Sequence, residues 1–556
     1  MKKTLYVGQN PLRFNSAAVE GRCVDLEGES FYQLANYDRM EPFFMSIVSD
    51  ADNWMFISST GALTAGRRNA DLALFPYYTD DKIHDSAEIT GSKTIFIVEQ
   101  RGRSRLWEPF SERYRGIDRL QRNLYKSFWG NKLLFEESNA DLGLTFRYGW
   151  FNSDRFGWVR HAWLTNSGPA SVRVRLLDGI QNLMPCGTGS SFQLEYSTLL
   201  DAYKKSELIP ETGLGLFRLS AIPIDRPEPA EALRTTTVWS LGLGKSFKLL
   251  ASTQLNAFRQ NEPIRQATEV RAKRGAYFIH TTLTLPPEQT RDWYLVAEVD
   301  QGPSDVAELN RWLRRPARLR RLVDADVARG TEELRRIVGK ADGLQKTARP
   351  LSDARHFNNA LFNVMRGGIF YDDYRVNPDD LQAFVRNANK DVALRHTAFF
   401  RQLDKRIRHR RLLALAARSG DANLERLCRE YLPLTFSRRH GDPSRPWNRF
   451  SIAAKNPDGT RVLNYEGNWR DIFQNWEALS LSYPGYAASM ICKFVNASTA
   501  DGYNPIASPG TALIGKSSIQ RIPGRTSATG AITRSFICSS SWRFWPGTTP
   551  PPCAIS

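Results

Sequence analysis

Between residues 1 and 302, apolar side chains come in short runs rich in β-branched and aromatic types, broken by polar turns that contain Gly or Asn. Residues 43–48, 94–98, 142–148, 172–177 and 277–283 are such runs, each the length of a strand rather than a helix. So many strands without long helices between them imply antiparallel sheets, and a large β-sandwich is the expected packing. The period changes at Pro303-Ser304-Asp305, which can cap a helix whose apolar positions include Val306, Leu309, Trp312 and Leu313. Residues 303–349 read as linker helices. Amphipathic helical segments then dominate residues 350–435, with 354–365 and 381–398 the clearest. The Arg-rich stretches 311–321 and 401–411 intermix Leu, Ile and Ala at helical spacing, the pattern of a solvated face over a packed one. From 436 to 505 the chain is richer in Gly, Asn, Trp and Tyr, which predicts long loops at the mouth of a helical barrel.

Residues 506–556 break the pattern. They contain no Asp or Glu, although the whole chain holds 58 acidic residues. Ser, Thr, Gly and Pro dominate and no period emerges. Disorder is one reading, but Trp542, Phe544, Trp545 and Cys538 are unusual company for it.

Composition narrows the class without choosing a function. A 556-residue chain that is 41% apolar and 24% charged can bury a large core and should divide into several domains. No apolar run approaches the roughly 20 residues a membrane helix needs, so no membrane partner is expected. The basic start Met1-Lys2-Lys3 has no apolar stretch behind it, so a signal peptide is not indicated and the cytoplasm is the expected location. Cys23, Cys186, Cys428 and Cys492 stand apart from CxxC or Cys/His spacing. No metal site is indicated, and reduced, mostly buried thiols are expected. The net charge of +18 raises nucleic acid as a partner. No zinc-finger, RNP or Arg/Gly repeat accompanies the arginines, so none is expected.

Three segments carry candidate chemistry. The first is Asn464-Tyr465-Glu466-Gly467-Asn468-Trp469-Arg470-Asp471, an aromatic, Gly-containing stretch with two kinds of carboxylate. The second, residues 366–375, runs Arg-Gly-Gly-Ile-Phe-Tyr-Asp-Asp-Tyr-Arg. The third, residues 440–449, is a Pro-bounded polar loop that includes Trp447 and Arg449. Other motifs fail: Gly242-Leu243-Gly244-Lys245-Ser246 lacks the earlier Gly of a phosphate loop, because Trp239 stands there. Neither GxSxG nor HExxH occurs.

A strand-rich first half, linker helices and a helical second half in this order resemble the six-hairpin glycosidase superfamily, in which cellobiose phosphorylase and glucoamylase-like enzymes belong. Residues 467–471 look like the Gly-Asp-Trp-Asn-Asp segment of those phosphorylases, whose last Asp is the general acid. They depart from it with Asn468 for Asp and Arg470 for Asn. Residues 366–375 are similar in kind to the sugar-gripping loop after the first barrel helix. The resemblance implies a supersandwich at 1–302, linker helices at 303–349, and the N-terminal part of an (α/α)6 barrel at 350–505. It also implies what residues 506–556 are. Suitable codons for a polar, acidic barrel loop, Tyr-Arg-Ile-Thr-Arg-Asp-Gly-Ile-Asp-Trp-Glu, read with one base missing, give Ile-Ala-Ser-Pro-Gly-Thr-Ala-Leu-Ile-Gly, the residues at 506–515. A frameshift near codon 506, a truncated barrel and an inactive chain are therefore expected.

Cleaving a glycosidic bond requires a carboxylic acid that protonates the leaving oxygen. An inverting hydrolase adds a carboxylate base, whereas a phosphorylase uses phosphate as the nucleophile. Asp471 is the expected acid, with Glu466 its rival; alternatively, Asp471 caps a helix beginning at Ile472. Tyr465 and Trp469 could stack on sugar rings and desolvate the carboxyl, raising its pKa as an acid catalyst requires. Trp447 and Arg449 could contact substrate, or the segment is simply a rigid turn. Arg366 and Asp372 could hold sugar hydroxyls by charge-assisted hydrogen bonds, or pair as a helix-end ion pair. His396 reads as a satisfied helix histidine. The expected function is inverting cleavage of a glucan-like oligosaccharide, with no cofactor beyond inorganic phosphate if the reaction is phosphorolysis. A homodimer is compatible with it. A non-catalytic carbohydrate-binding or scaffold protein of the same fold is the alternative.

Overall fold

The computed structural model describes residues 4–100, 102–222, 232–437, 442–444, 451–456, 459–468, 472–498 and 507–509, the stretches 466–468 and 507–509 by backbone alone. The chain forms two compact units. One comprises Met1–Leu334, Arg349–Ala354 and Gly441–Arg449; the other comprises Arg335–Ala348, Arg355–His440 and Phe450–Ser556.

The first unit is antiparallel sheet. Among the described residues, an eleven-stranded sheet starts at the edge strand Glu20–Leu26 and has Leu144–Ser153, Gly157–Asn166 and Thr290–Gln301 near its middle. A five-stranded sheet is built on Gly91–Gln100, Val172–Leu183 and Gly275–Leu285. A four-stranded meander runs from Phe44 to Phe75. Strand alternation explains the packing. In Thr290–Gln301, Trp293, Leu295, Ala297 and Val299 face a core shared with Phe96, Val174, Leu176 and Ile279 of the five-stranded sheet. The intervening Tyr294 and Val296 face another cluster with Leu309, Leu313, Leu319 and Val323. Those four sit on helices Pro303–Leu313 and Pro316–Gly339. The middle of Thr290–Gln301 is therefore buried on both faces, and its residues 293–297 run continuously apolar.

One polar cluster sits inside this apolar core. Asp178 accepts from Arg160 through both terminal guanidinium nitrogens at 2.7 and 2.9 Å, from Thr94 Oγ1 at 2.6 Å and from Trp293 Nε1 at 2.6 Å. Both charged side chains are fully buried. Arg160 also donates to Ser92 and lies over the Tyr148 ring at 4.6 Å.

Helices follow from Pro303 onward. In the second unit, Pro350–Gly367 leads into a small helical module with its own core of Val376, Leu381, Val385, Val392, Phe400, Ile407, Leu412, Leu424 and Tyr431. The module's entry and exit are tied by an antiparallel pairing of Ile369–Phe370 with Leu434–Thr435.

Several expectations need correction. The 381–398 segment is broken into Pro378–Ala388, Lys390–Arg395 and Thr397–Arg401, because Asn389 turns its side chain onto Val392 N and starts a new helix. The 401–411 stretch is not one helix. Ile407–Arg408 pairs with Arg375–Val376 as a strand, and a helix begins only at His409. The expected loops of 436–505 contain the helices Ile472–Ser482 and Ala487–Asn496. Cys186 and Cys428 are buried, but Cys23 is exposed on the edge strand. Among the described residues, no helix is long and apolar enough to cross a membrane, and no group of His, Cys, Asp or Glu could hold a metal ion.

Breaking the buried pair should be costly. Arg160→Met leaves an uncompensated carboxylate in the core and is expected to lower unfolding free energy by about 3–5 kcal/mol. Arg173→Ala, which removes the exposed pair with Glu99, should change it by less than about 1 kcal/mol. Urea titration followed by tryptophan fluorescence measures both.

Candidate active site

The helix Pro350–Gly367 ends because Gly368 adopts a left-handed conformation, φ 84°, and donates its N–H to Val364 O. A Cβ there would press on Leu434 Cβ and Thr435 O at 3.2 Å, so the glycine also permits the entry and exit strands to meet. On the exit side Phe436, buried and with φ 62°, bends the chain. Ser437 Oγ then donates to Arg366 O at 3.1 Å, satisfying a carbonyl of the last turn. Helix Ile472–Ser482 locks against the same end: Trp476 Nε1 donates to Gly367 O at 3.0 Å, and Asn475 donates to Asn363 Oδ1 at 3.0 Å.

The turn at 371–374 holds Asp372, while Arg366 sits in the last turn of the helix before it. Asp372 takes the guanidinium fork of Arg406, with Nε at 2.7 Å. Asp373, at φ 53°, accepts from Tyr483 Oη at 2.9 Å and lies 3.4 Å from Lys340. Tyr374 Oη accepts from Gly485 N, and Tyr374 O accepts from His409 N. Arg366 lies over the Phe362 ring at 3.6 Å. Asp372 thus pairs with Arg406, which the sequence reading did not single out.

Tyr465 corrects another expectation. Its ring is 2% exposed and packs edge-on against Trp476 with centroids 5.8 Å apart, so neither face is open to a sugar. Lys493 Nζ lies 5.7 Å from the ring centre. Glu466 is in a short strand, Glu466–Asn468, paired antiparallel with Ala507–Pro509, and its side chain lies outside the description. Asp471, Trp469, Trp447 and Arg449 fall outside the described residues. Helix Ile472–Ser482 does begin directly after Asp471.

Two features escaped the sequence reading. A groove of about 330 Å³ lies between Pro350–Gly367 and Ile472–Ser482, lined by Asn359, Phe362, Asn363, Gln474, Glu477 and Leu481. Amides, a carboxylate and an apolar ring are the groups that hydrogen-bond hydroxyls and cover a sugar face. Their i, i+3 and i+4 spacing on two helices was visible in the chain, but which faces meet was not. The second is His409, buried beneath Tyr486 with ring centres 4.2 Å apart and its Nε2 3.4 Å from Ser489 Oγ. Burial, with the Arg429 charge adding to it, pushes its pKa down to about 4. His396, by contrast, bonds Asp421 at 2.9 Å. That hydrogen bond, the Leu424 and Asn423 N–H groups at the cap and the Arg395 charge lower the Asp421 pKa to about 2.

Residues 370–433 match the family model for glycoside hydrolase family 149 insertion domain 1, bounds that nearly coincide with the paired strands at 369–370 and 434–435. A search of curated proteins gives no match. Among solved structures, the chain is similar to a bacterial glucoamylase complexed with acarbose, at 9% identity and TM-score 0.37, covering 88% of this chain and 61% of that one. It is also similar to a polysaccharide lyase, at 12% identity and TM-score 0.25, covering 48% and 33%. A candidate kojibiose phosphorylase from human microbiome aligns at 7% identity and TM-score 0.31, covering 82% and 55%. The chain thus spans less than two thirds of the length of each.

The buried histidine gives a pH prediction. His409 is neutral in the fold but titrates near 6.5 when unfolded, so the unfolded chain binds the extra proton between those values. Stability is fully present above pH 6.5 and is lost as pH falls towards 4. Urea midpoints of the helical unit should fall over that window, and His409→Gln should flatten the fall. An unchanged profile in the variant would remove His409 as its cause.

Proposed function

We propose that this chain derives from a carbohydrate-active enzyme that cleaves glycosidic bonds of a glucan-like oligosaccharide by an inverting, acid-assisted mechanism. The observation that carries the reading is the match of residues 370–433 to an insertion domain of glycoside hydrolase family 149. The antiparallel first unit is read as a supersandwich and the helices from Pro350 as part of an (α/α)6 barrel. Asp471 is assigned as the acid that protonates the leaving oxygen, with Glu466 as its rival. The groove lined by Asn359, Gln474 and Glu477 supports contacts to sugar hydroxyls. The nucleophile is water in a hydrolase and inorganic phosphate in a phosphorylase. No metal or organic cofactor enters either route, and the cytoplasm is the assigned location.

Residues 506–556 are read as translated out of frame, because they lack acidic residues altogether and back-translate, one base shifted, into a polar acidic loop. Sequencing the gene through codons 495–520 checks this; an intact frame there rejects it. A second reading, a carbohydrate-binding protein without catalysis, is favoured by Asn468 and Arg470 standing where the resembling phosphorylases have Asp and Asn.

Asp471→Asn, in the chain as it stands and after frame repair, separates the two. A general acid contributes about 10²- to 10⁴-fold, so turnover of β- and α-glucan oligosaccharides should fall by that factor while ligand affinity holds. A sugar 1-phosphate formed only with added phosphate assigns phosphorolysis. Binding without turnover in the repaired parent would support the second reading instead.

A further inference from the structure

The arginines between residues 311 and 321 were expected to be an ordinary solvated face, and the structure shows how incompletely they are neutralised. They lie where helix Pro303–Leu313 gives way to helix Pro316–Gly339. The apolar sides of both helices are spent on the sheet, with Leu309, Leu313, Leu319 and Val323 buried. Arg314, Arg315, Arg318 and Arg321 are all exposed. The acids nearby are already engaged: Glu308 takes Arg155 and Trp312 Nε1, Asp292 pairs with Arg320 of the same stretch and with His161, and Asp324 accepts from Tyr294 Oη. Arg318 instead stacks on Trp312 at 5.2 Å, whose ring Arg155 also covers at 5.6 Å.

This arrangement works against the helix. The first turn of Pro316–Gly339 carries no acidic residue, although the N-terminal dipole favours one. Arg318 and Arg321 are like charges three residues apart, which repel at helical spacing. An anionic partner laid along the stripe would relieve both penalties at once.

We propose that this stripe binds the phosphate backbone of a nucleic acid, independently of sequence and of the glycoside chemistry. The cations are all arginines, whose planar fork fits phosphate bidentately. The aromatic beside the stripe, Trp312, is already covered by the guanidinium groups of Arg155 and Arg318, so it offers a sugar ring no stacking platform. Affinity must then come from charge density, which a nucleic acid duplex supplies at about one negative charge per 1.7 Å of its axis. An anionic bilayer fits less well: none of the exposed large apolar side chains falls between Phe247 and Leu344, so nothing there can insert below the headgroups. The proposal departs from the sequence expectation, which looked for recognition motifs; a backbone contact needs none.

Fluorescence anisotropy of the whole chain with a short random-sequence DNA duplex, titrated across salt, tests it. The plot of log affinity against log salt should be steep. The triple variant Arg314→Gln, Arg315→Gln, Arg321→Gln should flatten the slope by about 0.9 for each lost phosphate contact and weaken low-salt binding roughly tenfold or more. A control triple in the helical module, Arg401→Gln, Lys405→Gln, Arg410→Gln, should leave both unchanged. Replacing the same stripe arginines by Lys preserves charge and should preserve the slope, which guards against a misfolded Gln variant. The proposal is overturned if the parent shows no salt-dependent binding, or if the control loses as much as the stripe variant. It is equally overturned if an acidic polysaccharide or anionic vesicles compete more strongly than the duplex. Loss or gain of glycosidic turnover leaves these readouts untouched, so this proposal and the enzymatic one fail separately.

Discussion

The first unit is organised around a carboxylate that cannot be left unpaired. Asp178 lies on a strand of the five-stranded sheet, and three of its partners come from elsewhere: Arg160 and Trp293 from the eleven-stranded sheet and Thr94 from the neighbouring strand. Desolvating a carboxylate and a guanidinium costs several kcal/mol per ion, and excellent geometry is needed to offset it. The geometry here uses the carboxylate fully, so a one-residue slip in any of these strands would both bury an unpaired charge and turn the apolar face outward. The cluster thereby specifies register where a purely apolar interface of Phe, Trp and Leu would tolerate alternatives. We advance this specificity role for Asp178 as the consequence of its position.

In the second unit the constraint is backbone rather than charge. A module with its own core enters and leaves the chain through one pair of short strands. That requires the helix Pro350–Gly367 to stop abruptly, and Gly368 with Phe436 supplies the two left-handed residues that let it do so. A left-handed aromatic is costly. Its return here is the Ser437 bond to Arg366 O and the fit of Gly367 beneath Trp476. The module is also tied to the segment that follows it: Asp373 accepts from Tyr483, His409 packs against Tyr486, and Glu430 accepts from Asn496.

Much of this was legible in the chain. The strand runs at 94–98, 172–177 and 277–283 lie inside strands, and the helix start at Pro303 is where the period changes. These signals are local, set by side-chain type and spacing. What the chain concealed was pairing at a distance. Arg406 lies far along the sequence from Asp372, and only the ladder between Arg375–Val376 and Ile407–Arg408 brings them together. That ladder is only two residues per strand, too short to give a period, which is why 401–411 reads as a helix. Tyr465 misled for a related reason: an aromatic in a polar, Gly-containing stretch suggests exposure, but Trp476 from the next helix covers it.

The same geometry bears on which carboxylates could do chemistry. A sugar hydroxyl needs free lone pairs on its acceptor, and a leaving oxygen needs a carboxyl able to carry a proton. Asp372 has its oxygens against the Arg406 fork, and Asp373 is shared between Tyr483 and Lys340. The turn that resembles a sugar grip is tied to its surroundings by the Arg406 pair and the bond from Tyr483. The groove on helix Ile472–Ser482, where Glu477 and Gln474 face Asn359 and Phe362, is a second place where amides and a carboxylate come together.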